Sequence, residues 1–86
     1  MLHIEDPIHG AVVNRRWGTQ DDEGLRLTVT GTAPPRGPVT VNGVPARLAS
    51  GRFTAEVLVS QSEQDIVATY DGPFGRQEHA IRVVWD

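Results

Sequence analysis

The chain contains no cysteine and no lysine. Without cysteine there are neither disulfides nor thiolate metal sites, although many extracytoplasmic bacterial domains manage without disulfides, so the compartment stays open. All eight basic residues other than histidine are arginine, which reads as a high-GC coding bias, with bidentate anion contacts as the alternative. Basic charge is also scarce: the net charge is −3 and the pI about 5.5, so no basic face is expected and nucleic-acid binding is disfavoured. No apolar run approaches the roughly 20 residues that span a bilayer, so membrane insertion is not expected. The opening MLHIEDPIHG lacks the basic region and long apolar stretch of a signal peptide. Helical periodicity is missing from every segment.

What remains is one domain of 86 residues. A chain this short buries roughly 60% of its unfolded surface, enough for a small sandwich and hardly for a deep catalytic cleft as well. The final IRVVWD reads as a strand without a tail, and both termini read as cuts in a longer polypeptide.

Apolar residues alternate with polar ones between clusters of proline and glycine, the pattern of half-buried strands. Ile8 to Asn14 reads as the first strand, after a turn at Asp6-Pro7. The polar loop NRRWGTQDDEG follows, Asn14 to Gly24, and then a strand Leu25 to Thr30 with Leu25, Leu27 and Val29 on one face. Val39 to Val41 is the third strand, and Asn42-Gly43 predicts a type I′ hairpin, because both central residues of that turn need positive φ. The returning strand, Val44 to Leu48, contains Pro45, which lacks an N–H, so that either the strand lies at a sheet edge or Pro45 occupies a non-bonded site. After a turn at Ala49 to Arg52 come Phe53 to Val59, Asp65 to Tyr70 and Gln77 to Trp85. Seven short strands and no helix predict an all-β fold, an immunoglobulin-like antiparallel β-sandwich. Its expected core is Leu27, Val29, Val41, Phe53, Val57, Ile66, Ala68, Ile81 and Val83.

The order of Asp6-Pro7-Ile8-His9-Gly10, Val29-Thr30-Gly31-Thr32-Ala33, Val39-Thr40-Val41-Asn42-Gly43, the Phe53 strand, Ile66-Val67-Ala68 and a valine-rich final strand spans nearly the whole chain. It resembles bacterial immunoglobulin-like domains of the glucodextranase domain B-like kind. That resemblance implies a non-catalytic accessory module of a secreted or cell-surface protein, beside a catalytic domain that is often carbohydrate-active. It supplies no ligand. The loop bearing Arg15, Arg16 and Trp17 departs from the general pattern.

Chemistry-bearing clusters are few. Asp21-Asp22-Glu23 lacks the alternation of a linear calcium loop and reads as a solvated turn held near Arg15 and Arg16. His3, His9 and His79 would have to converge to hold a metal; the simpler reading is three surface histidines. No pair of carboxylates is marked out for glycoside cleavage, no serine lies in G-x-S-x-G, and no phosphate loop is present. An enzyme is therefore not expected, and no cofactor or metal is assigned. Arg15, Arg16 and Trp17 are the one candidate binding constellation: a loop tryptophan can stack on a sugar or anchor a protein, or it can fold back as a plug for the core. The leading expectation is a spacer or packing module whose partner is a neighbouring domain of the same polypeptide. The alternatives are a polysaccharide-binding module drawing on Trp17, Phe74 and Tyr70, and a protein-binding module working through an edge strand.

Overall fold

A computed structural model describes all residues, 1–86. It has ten strands and no helix: β1 (His3–Asp6), β2 (Val12–Val13), β3 (Gly18–Asp21), β4 (Gly24–Thr32), β5 (Val39–Val41), β6 (Val44–Pro45), β7 (Arg47–Ala49), β8 (Arg52–Val59), β9 (Glu63–Gly72) and β10 (Gly75–Trp85). They form two sheets. The first runs β1-β4-β8-β7, with β3 also paired to β4; the second runs β2-β10-β9-β5-β6.

The sheets pack through the alternating faces of their long strands. Leu25, Leu27 and Val29 of β4 and Phe53, Ala55, Val57 and Val59 of β8 meet Val39 and Val41 of β5, Ile66, Ala68 and Tyr70 of β9, and Ile81 and Val83 of β10. Every residue of the expected core is buried. Trp85 packs only partly against its margin.

Ten strands stand where seven were expected, for three reasons. The first strand is not Ile8 to Asn14. The N-terminal segment instead contributes β1 to the first sheet and β2, parallel to β10, to the second. Ile8 lies between them and is 68% exposed. Leu2 and Ile4, assigned no strand by periodicity, point into the core. Second, the polar loop Asn14 to Gly24 contains β3, a strand exposed at every residue, which pairs with β4 across a two-residue turn at Asp22-Glu23. Third, the strand expected at Val44 to Leu48 breaks at Ala46: β6 belongs to the second sheet and β7 to the first. Pro45 sits on β6, the edge of its sheet. Asn42 (φ 51°) and Gly43 (φ 79°) close the β5–β6 hairpin with the positive φ pair of a type I′ turn.

Candidate functional site

β2 ends at Val13, and Asn14 then organises the next turn: its carbonyl accepts from Trp17 N–H (2.9 Å) and its side-chain oxygen from Arg16 N–H (2.9 Å). This Asx-type turn displays Arg15, Arg16 and Trp17 to solvent. Trp17 is 41% exposed and stands outside the core, so the plug reading is corrected. Arg15 and Arg16 line an open, wholly polar depression of about 380 Å³ with Asn14, Gln20 and Asp86. Trp17 lies outside that lining.

The acidic turn is not held by Arg15 and Arg16. Arg26 of β4 takes that place, reaching Asp21 at 3.1 Å and Glu23 at 3.4 Å. The Asp21 carboxylate also accepts from Glu23 N–H at 2.9 Å. That bond, followed by the Arg26 guanidinium, holds the Asp21 carboxyl below its ordinary range. Strand register explains the switch: β3 pairs with β4, which brings Arg26 alongside the turn.

The exposed aromatics do not share a plane. Tyr70 is fully buried and its hydroxyl donates to the Arg36 carbonyl, so it is withdrawn as a surface candidate. Phe74, 58% exposed, tips the β9–β10 hairpin. Trp17 follows β2, which pairs with the far end of β10. The eleven residues of β10 therefore lie between the two rings, roughly 30 Å of strand.

A second depression, about 450 Å³, lies between β1, the following loop and β10. It is lined by His3, Ile4, Glu5, Ile8, His9, His79, Ala80 and Ile81. The three histidines thus gather at one place, which periodicity did not indicate. Nδ1 of His79 accepts from Ile4 N–H (2.9 Å), and Nδ1 of His9 from Arg82 N–H (3.0 Å). A metal-bound imidazole ordinarily donates from its second nitrogen. Here that nitrogen is an acceptor on two of the three rings, so the arrangement serves backbone amides rather than a cation. Burial, followed by the nearby His3, keeps the His79 imidazole below its ordinary range. Glu5 is taken up by Arg52 at 2.6 Å.

A third and larger hollow, about 640 Å³, opens where β6 gives way to β7. Thr28, Thr54 and Glu56 floor it, and Val44, Pro45, Ala46 and Arg47 form its side.

Compared with known families and with curated proteins, the chain matches no family model and no curated sequence.

Proposed function

We propose that the chain is an immunoglobulin-like accessory module, non-catalytic, which positions a neighbouring domain in a secreted or cell-surface bacterial protein, the neighbour being carbohydrate-active. The observation that carries this reading is the sheet order. Immunoglobulin constant-type sandwiches place strands A, B, E and D in one sheet and C, F and G in the other. Reading β1 as A, β4 as B, β5 as C, β7 as D, β8 as E, β9 as F and β10 as G reproduces both orders. On that reading β2 is the second half of a divided A strand, β3 an added hairpin arm and β6 a short extension beside C. Further support is that many of the acidic groups are already engaged: Asp21 and Glu23 by Arg26, Glu5 by Arg52, Asp65 and Glu63 by Arg82.

One observation favours a second reading. Trp17 is exposed beside Arg15 and Arg16 on a well-formed turn, as a polysaccharide-binding loop would require. Titration with polysaccharides and their oligomers, followed by tryptophan fluorescence on the wild type and on Trp17→Ala, separates the two. The spacer reading expects no saturable change. Saturable binding lost in a folded Trp17→Ala variant overturns it in favour of the binding module.

A further inference from the structure

β1 is fastened to the second sheet by side chains rather than by a strand ladder, whereas Gly10, Ala11 and β2 are tied to β10 by main-chain bonds, Val84 N–H to the Ala11 carbonyl (2.8 Å) among them. β1 pairs through its main chain with β4 alone. The amide just before it and one within it are taken by inward-pointing residues of β10: Leu2 N–H donates to Gln77 Oε1 (2.8 Å) and Ile4 N–H to His79 Nδ1 (2.9 Å). The loop after β1 repeats the device in reverse. Arg82 N–H donates to His9 Nδ1 (3.0 Å), while Gly10 N–H donates to the Arg82 carbonyl (2.7 Å). Two of these four bonds require an imidazole nitrogen without a proton. The third imidazole, His3, lies against His79 with ring centroids 4.7 Å apart.

We propose that residues 1–9 form an acid-sensitive strap, in which protonation of His79 breaks the bond tying β1 to β10 and loosens the segment from the second sheet. An imidazolium carries a proton on both nitrogens and has no lone pair left to accept. The Ile4 amide would then face a donor.

The surrounding charges do not relieve this. On β1, Glu5 is held by Arg52 of β8. Beside His9, Arg82 is held by Asp65 (2.9 Å) and Glu63 (3.9 Å) of β9. Across the ladder His79 faces Ala68, which is neutral. Arg76 and Glu78 alternate to the outer side of β10, and Asp6 closes β1 in solvent. The folded state favours neutral His79, so its bond is fully present above about pH 6.5 and is lost as the pH falls through the lowered folded value. Leu2 and Ile4 remain buried anchors, so the strap loosens against their burial instead of peeling away.

Native-state amide exchange tests this, with protection corrected for intrinsic rates and compared near pH 7.5 and pH 5. Ile4 is expected to lose roughly tenfold protection on acidification, while Val29 and Val57 in the centre of the first sheet keep theirs. In a His79→Asn variant, which keeps an acceptor but cannot titrate at that position, the loss should vanish. Equal protection at both pH values, a loss shared by all three amides, or a loss that persists in the variant would each overturn the strap. Should the variant not fold, the imidazole nitrogen shifts of the wild type decide: a proton on Nδ1 of His79 near neutral pH also overturns it.

Discussion

Asn42 does two jobs that one residue rarely combines. Its backbone takes the positive φ of the hairpin, and its side chain continues a ladder that the turn would otherwise end. Asn42 N–H donates to the Val67 carbonyl (2.9 Å), Val67 N–H to Asn42 Oδ1 (2.8 Å), and Asn42 Nδ2 to the Asp65 carbonyl (3.3 Å). The side-chain amide therefore stands in for a missing residue of β5 along the edge of β9. Glycine fits the turn equally well, so Asn42→Gly isolates the side-chain bonds. It should lower unfolding free energy by about 0.5–1.5 kcal/mol in urea titration, and no change would mean that water replaces the amide fully. Phe53 makes a simpler case: it is wholly buried between the sheets, and Phe53→Ala should cost about 3–5 kcal/mol, most of the stability of so small a domain. A loss under about 1 kcal/mol would mean the cavity collapses almost completely. Trp17→Ala should change the unfolding midpoint little, by less than about 0.5 kcal/mol in free energy, because the indole is outside the core.

Among the elements, the turns carry the clearest local instructions. Asn42-Gly43 announces its type by composition, whereas Ser50-Gly51 does not, yet both adopt the same geometry. Ser50 (φ 52°) and Gly51 (φ 76°) join β7 to β8 as Asn42 and Gly43 join β5 to β6. Gly43→Ala and Gly51→Ala should therefore each destabilise by about 1 kcal/mol, measured by chemical unfolding, since alanine resists positive φ at both. An unchanged midpoint for Gly51→Ala alone would mean that β7 frays freely. The free edges are managed by side chains from the opposite sheet. Gln64 of β9 donates to the Leu58 carbonyl of β8 (2.8 Å) on one flank, and Gln77 and His79 of β10 receive the Leu2 and Ile4 amides on the other. Edge amides satisfied in this way are poor templates for a second strand. β3 has no such cover: it is exposed throughout and is held by its ladder to β4 and by the ion pairs of Arg26.

For the whole molecule, a single core shared by both sheets predicts one cooperative transition with an all-β circular dichroism spectrum. The stability of that transition should depend on pH in two steps. The first loss begins below about pH 6.5 as neutral His79 is titrated. The second comes lower: the Asp21 carboxylate is favoured in the folded state, so its contribution is present above the ordinary aspartate value and lost as pH falls through the depressed one. Unfolding midpoints measured in denaturant across the acid range would show both, and a flat profile between about pH 7 and 5 would contradict the first.

Wherever a strand is long and two-faced, the amino-acid order was enough. Leu25 to Thr30, Phe53 to Val59 and Asp65 to Tyr70 place every inward residue correctly, because a period of two leaves one register that buries the apolar side. The same holds for Asn42-Gly43, where φ is set by the residues themselves. Other features depended on neighbours far away in the chain. β3 has no apolar face, so only the β4 edge makes it a strand. Leu2 and Ile4 form too short an alternation to register, and they become core because β4 offers a free flank. The division at Ala46 follows from pairing with two different sheets, β6 with β5 and β7 with β8. The histidine seam is the extreme instance: His9 lies 73 residues from Arg82, and His79 lies 75 from Ile4. No local pattern can encode a contact of that separation; it exists because the sandwich closes its first strand against its last.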